Sequence, residues 1–356
     1  MNKREAVIDP VAASWLGSEF LRGYFTSLAI TVFLIVAFNW IVDPFDIYGN
    51  QLFPPWQANR YAEKYDLYNK FEPPPEALII GSSRVGSLDP LVVESITGHR
   101  CFHWGVPSAG IEAYNAILEL AYEKRDANIK LIIIGVDPVS FKEGNPVQVQ
   151  MLYEPHYTKY FHKSLQQKAD WLIRLLTKEQ TVMSAKVILR SLGGIADQAA
   201  PDNREDGFPL YSNREEAISE GKFDFEKNLE MRLAMYPGGF TCITGESKIS
   251  ESNKRLWEQF LEKCQDRGIK VYAFMPVEHP RLYEKMESLG AIPVYEEIAQ
   301  YLKATVEGAD GIFMDFTKLD SFNGDISEFY DEVHMRKPNG DLLLHKLLDG
   351  TPGRSD

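Results

Sequence analysis

The sequence predicts an α/β protein: a three-layer α/β/α sandwich around a parallel five-stranded sheet, a helical insertion after the third strand, and one apolar helix near the amino end. Three observations carry this. Short, wholly apolar runs such as Leu131–Ile134 recur along the chain, as in strands covered on both faces. Segments of helical periodicity lie between them, the alternation that builds a parallel sheet with right-handed crossovers. Residues Tyr24–Val42 form nineteen positions without a charge, close to the roughly 20 apolar residues a spanning helix needs.

Residues 1–23 carry the basic residues Lys3, Arg4 and Arg22. The span at 24–42 has Trp40 near one end, where an interfacial anchor would sit, and it runs directly into Asp43 and Asp46. No small-residue cleavage site follows, so it reads as an uncleaved signal anchor. Basic residues before it and acids after it put the amino end in the cytoplasm and the remaining chain outside the cytoplasmic membrane. Residues 43–76, with many prolines and aromatics, read as a linker.

The α/β domain is expected over 77–348, with 349–356 as a tail. Ala77–Ile80 reads as the first strand and Gly81-Ser82-Ser83 as the turn after it. Asp89-Pro90 opens a short helix that Gly98 ends. Arg100–Trp104 is the second strand, and Ser108 is expected to cap a helix from about Ala109 to Lys124. Leu131–Ile134 is the third. The alternation then stops, and about residues 140–248 read as the insertion, with helices over Ser164–Leu176 and Thr181–Leu192. An aromatic cluster there (Tyr153, His156, Tyr157, Tyr160, Phe161, His162) reads either as packing or as a lid or sugar-stacking platform. Ser250 caps the next helix, Val271–Met275 is the fourth strand, Pro293 opens a helix to about Val306, and Gly311–Phe316 is the fifth strand. Asn339–Leu348 closes a flavodoxin-like order.

Formal net charge is −13, which gives the chain no electrostatic reason to bind nucleic acid. Three cysteines, Cys101, Cys242 and Cys264, are too few and scattered for a disulfide framework or a zinc site. Cys101 falls in a strand and reads as buried. No His/Cys/Asp/Glu group has ligand spacing, and Gly81-Ser82-Ser83 lacks the lysine of a phosphate loop. Neither metal nor cofactor is expected.

Two stretches carry chemistry. A strand followed by Gly-Ser-Ser presents a hydroxyl at the carboxyl edge of a parallel sheet, where open α/β sheets hold ligands. Far downstream, Asp331 and His334 are three apart and share one face of a helical turn. A serine hydroxyl needs a base, and the base needs a carboxylate to fix its tautomer. His279, in Pro276-Val277-Glu278-His279-Pro280 after the fourth strand, falls on the expected rim.

On these residues the chain resembles the SGNH (GDSL-like) hydrolase superfamily, and within it the membrane-anchored bacterial members that handle acyl groups on cell-surface glycans. The resemblance covers roughly residues 77–348. It implies Ser83 as nucleophile rather than its neighbour Ser82, His334 as base, Asp331 as its orienter, and Gly105 with the Ser83 N–H as oxyanion donors. Where that family's third strand ends in Gly-x-Asn, this chain reads Gly135-Val136-Asp137. A carboxylate aimed at an oxyanion would repel it, so Asp137 is expected to turn towards a neighbour such as Arg84. The resemblance implies an O-acyl, chiefly acetyl, esterase or transferase acting on an exported polysaccharide or cell-wall glycan. Its partners would be the acylated glycan or acyl donor and a polytopic membrane O-acyltransferase. The competing expectation is a weak or inactive SGNH-like module that binds a glycan or a partner in an export complex.

Overall fold

A computed structural model describes residues 10–50, 52–56, 59–123, 128–145, 151, 154–160, 172–193, 202–236 and 242–349. The chain divides into two compact units, Met1–Ala58 with Lys163–Ala200, and Asn59–His162 with Pro201–Asp356. The segment expected as one insertion is thus shared between them. Tyr153, Phe161, His162 and most of the helix expected at Ser164–Leu176 lie outside the described residues.

In the first unit, α1 spans Pro10–Val42. Its stretch Glu19–Val42 contains an 18-residue window with a mean hydropathy of 2.2, of which 11% is buried, and is long and apolar enough to cross a membrane.

The second unit begins with α2, Arg60–Lys70, inside what reads as a linker. The Asn59 carboxamide oxygen accepts from the N–H groups of Tyr61 and Ala62, a conventional N-cap. Tyr61, Tyr65 and Tyr68, spaced along one face, are buried in the core. Then follow β1 Ala77–Gly81, α3 Pro90–Thr97, β2 Cys101–Gly105, α4 Ile111–Glu123 and β3 Leu131–Gly135. Asp89 caps α3 through the Leu91 N–H, and Gly98, at φ 70°, ends it. Ser108 does not cap α4 as expected: the helix starts at Ile111, and Ser108 takes a φ of 55° in the loop before it.

After β3 the first unit contributes α5, Lys178–Leu192. The second unit resumes with α6 Ser212–Ser219, α7 Phe225–Met235, α8 Glu251–Asp266, β4 Lys270–Met275, α9 Pro280–Ser288, α10 Ile292–Gly308, β5 Ile312–Asp315 and α11 Lys337–Leu348. Ser250 caps α8 through the Asn253 N–H, as its position predicts.

The described strands form one five-stranded, all-parallel sheet in the order β2-β1-β3-β4-β5. Leu78, Ile80, Trp104, Ile132 and Ile134 share one apolar cluster with α4, α8 and α10. Their alternates Ala77, Ile79, Cys101 and Ile133 share another with α3 and α11. Strand residues point alternately to opposite faces, so both faces of the sheet are packed and the central strands are apolar throughout. Cys101, Cys242 and Cys264 are buried and free.

Candidate active site

The site is built where β1, β2 and β3 end. Gly81, Gly105 and Gly135 are paired in register. A Cβ on Gly81 or Gly105 would stand 2.6 Å from a Val85 methyl, and one on Gly135 closer still. Bare backbone at this level therefore forms a seat for Val85. Gly81 also holds a φ of 154°, which suits glycine alone. Seated this way, the one-turn 3-10 helix Ser83–Val85 folds back over the carboxyl edge of the sheet.

His103, buried in β2, locks the seat. Burial, with the nearby Lys64 charge, pushes its pKa down to about 3, so the ring is neutral. Its Nδ1 accepts from the Gly105 N–H at 3.2 Å, which leaves Nε2–H to donate to the Val85 carbonyl at 2.9 Å.

The two serines separate at this turn. Ser82 is buried, and its Oγ accepts from the Arg84 N–H at 3.1 Å as the cap of the turn. Ser83 Oγ instead lies 2.8 Å from His334 Nε2. On the other side of the ring, His334 Nδ1 is 2.7 and 2.9 Å from the two oxygens of Asp331. Asp331 and His334 sit in a tight loop rather than a helical turn, closed by the Phe329–Met335 bridge. The Asp331 carboxylate also accepts from the backbone N–H groups of Val333 and His334, at 3.1 and 2.9 Å. Burial alone would raise its pKa. The His334 hydrogen bond and charge, together with those two N–H groups, hold it well below the usual carboxylate range. An imidazole held by a carboxylate on one side and facing a hydroxyl on the other is arranged to accept that hydroxyl's proton.

No protein-family model and no curated protein matches this chain. What the site can do is set by its own geometry.

Ser83 and His334 open onto a cleft of about 450 Å³, lined also by Ser108, Gly110, Asp137, Tyr236, Glu278 and Tyr295. Arg84 runs along its floor. Its Nη1 lies 2.9 Å from Glu278 Oε1 and 3.4 Å from Asp137 Oδ1, and its Nη2 donates to the Val277 carbonyl at 2.5 Å. Burial works against the Arg84 charge, but Glu278 and Asp137 more than offset it, and the guanidinium stays protonated. Burial pushes Glu278 up to about 7 against the pull of Arg84, with Asp137 adding to the rise. Two carboxylates thus share one cation, and Asp137 takes the place beside Arg84.

Two residues expected in the site are used elsewhere. The Gly105 N–H donates to His103 Nδ1, and Gly105 does not line the cleft. Among the described residues, the N–H groups of Ser83, Ser108 and Gly110 border the cleft and have no acceptor. His279 is buried. As the N-cap of α9 its Nδ1 accepts from the Arg281 N–H, and its ring packs against Phe225 and Phe329. Pro280 in the first helical position was the sequence signal for that role.

The aromatic cluster splits similarly. His156 stacks on Tyr65 at 3.9 Å, and Tyr157 accepts from the Trp104 indole N–H at 2.8 Å. Neither ring lines the cleft. The residues the region does contribute are Ser140 and Asn145 at its start, Arg232 from α7, and Tyr236 just beyond it. Arg232 stands 3.7 Å from Asp331 Oδ2 and 3.8 Å from Glu332 Oε2. Nothing in its local sequence marks it, because its approach to Asp331 exists only in the folded chain.

Proposed function

We propose that this chain is a membrane-anchored serine O-acyl esterase or acyltransferase of the SGNH type, acting on O-acylated, chiefly acetylated, glycan outside the cytoplasmic membrane. The observation that carries the reading is the continuous Ser83–His334–Asp331 chain, at 2.8 and 2.7 Å, opening on a cleft. The sheet order matches that of flavodoxin-like doubly wound folds, whose ligands sit at the carboxyl ends of the strands. With helices packed against both faces, it supports a three-layer α/β/α sandwich.

In the proposed reaction Ser83 Oγ attacks the acyl carbonyl carbon while His334 Nε2 takes its proton. Asp331 holds the ring and stabilises the imidazolium. The carbonyl oxygen becomes an oxyanion, and the N–H groups of Ser83 and of Ser108 or Gly110 are its candidate donors. One such donor is worth roughly 3–4 kcal/mol in the transition state. The intermediate collapses as His334 returns the proton to the departing sugar oxygen, leaving an acyl ester on Ser83. Water then accepts the acyl group in an esterase, and a second hydroxyl accepts it in a transferase. Arg84 keeps Asp137 engaged beside it, away from the developing charge. A polytopic O-acyltransferase that delivers acyl groups across the membrane would be the natural partner. α1 supports the anchor. The basic residues before it and acids after it support an outward-facing catalytic unit.

A second reading, a glycan-binding module without turnover, draws on the Asp137 and Glu278 carboxylates bordering the cleft. The full-length protein in detergent, given a small activated acetyl ester and an acetylated polysaccharide, separates the two. The enzyme reading expects acetate release that Ser83→Ala abolishes. Equal inertness of wild type and Ser83→Ala on both substrates leaves the binding module.

A further inference from the structure

In the first unit, α5 packs on α1 and exposes large apolar side chains. It buries Gln180, Ser184 and Val187, while Leu189 and Leu192 are 68% and 80% exposed. Val182 continues this stripe two turns earlier, and Leu172, Ile173 and Leu176 extend it before the helix. The contact with α1 is polar as well. Asn39, fully buried near the end of the apolar stretch, donates to the Leu175 carbonyl and to Thr181 Oγ1, both at 2.8 Å. Water disfavours so large an exposed apolar stripe. Hydrocarbon accommodates it, because apolar side chains meet lipid at no cost, and Asn39 finds its partners at the helix contact.

The helix is too short to cross a bilayer. Fifteen residues reach about 22 Å, against a hydrocarbon core of about 30 Å. Its cations lie where headgroups would be. Arg190 donates to the carbonyls of Pro54 and Pro55 and lies over the Trp56 ring, and Lys186 reaches the same ring. Lys178, Lys186 and Arg190 against Glu179 give this helix a net positive charge in a chain of net charge −13.

We propose that α5 lies in the membrane interface beside the end of the span, with Val182, Leu189 and Leu192 in the acyl–headgroup boundary. The anchor would then be a span plus an in-plane helix, and anionic lipid would favour it. The inference rests on the reading of α1 as a span, and its occupant is the same bilayer.

The test uses the full chain in phosphatidylethanolamine–phosphatidylglycerol vesicles. An environment-sensitive fluorophore is placed at Leu189→Cys, at Phe33→Cys in mid-span, and at Leu91→Cys on α3. The three native cysteines are buried, and labelled wild type gives the background. The expected result is that the Leu189 probe is blue-shifted, quenched more by shallow than by deep nitroxide lipid, and shielded from aqueous iodide. The Leu91 probe should be fully open to iodide. If Leu189 is as open to iodide as Leu91 while Phe33 stays in lipid, the in-plane helix is wrong and the span stands. If Phe33 is also open to iodide, the span itself fails. A Leu189 probe shielded from both quenchers would mean a protein partner covers α5, which also overturns the proposal.

Discussion

In the α/β unit the buried positions of β1 and β3 are Leu, Ile, Ala and Gly, and at the edge cleft Arg84 pairs with the Glu278 and Asp137 carboxylates. In the α1–α5 unit the buried positions include Asn39, Gln180 and Ser184, and the exposed ones are Phe33, Leu189 and Leu192. The same physics gives both patterns in different solvents. Water drives apolar surface inward. A bilayer supplies no such drive and leaves polar groups to find each other at helix contacts. On the proposed reading of α1 and α5, the exposed apolar side chains of the first unit report a bilayer, and the candidate chemistry falls in the unit facing water.

The largest expected effect breaks this comparison directly. Ile133→Asn places an unpaired amide in the sheet centre and should lower stability of the α/β unit by about 3–5 kcal/mol in denaturant melts. Gln180→Leu, an exchange of the opposite sense, should leave the full chain in vesicles as stable or more so, because Gln180 is buried with both side-chain polar atoms unpartnered. Comparable losses for the two variants would mean both regions have ordinary aqueous cores.

A smaller effect belongs to the glycine seat. Gly135→Ala drives a methyl into Val85 and should cost about 1–3 kcal/mol. It should lower any Ser83-dependent rate more than it lowers binding of the same ester, because it displaces the turn. Adding Val85→Ala should restore part of both. A Gly135→Ala protein with unchanged melting and rate would show that the seat does not position Ser83.

The smallest effect is a pH slope. Glu278 sits at about 7 in the fold against an ordinary 4.5. Between those values the folded protein holds a proton that the unfolded chain has lost. Its contribution is present below about 4.5, fades as pH rises to about 7, and is flat above. Buried beside Arg84, it amounts to about 2–3 kcal/mol at most. In melts across this window wild type should lose stability relative to Glu278→Gln as pH rises, since the amide carries no such slope. Parallel curves would place the Glu278 proton elsewhere.

β1 and β3 were legible because they are short and wholly apolar, and Leu131–Ile134 admits few other readings. α2 was not, because Arg60, Glu63, Lys64 and Asp66 make it polar on average. Only the tyrosine spacing at 61, 65 and 68 marks its buried face. Ser83, Asp331 and His334 could be picked out because each stands in a local motif, and the structure brings them together. Gly105 was placed by the resemblance and His279 by its position, and neither reveals that a neighbouring ring takes the Gly105 N–H or that His279 becomes a helix cap before Pro280. The glycine seat needs the register of three strands, and Arg232 needs the fold of a distant helix. Both lie beyond any local pattern.

The central claim is that Ser83 is an activated nucleophile. The direct measurement treats the full-length protein with a fluorophosphonate, which forms a covalent ester only with a serine whose proton a neighbouring base removes. Mass spectrometry of the peptides then locates the adduct. The account predicts modification at Ser83 and not Ser82, slowed by at least about 100-fold in His334→Ala and absent in Ser83→Ala. An unmodified Ser83, or labelling that His334→Ala leaves unchanged, would contradict it.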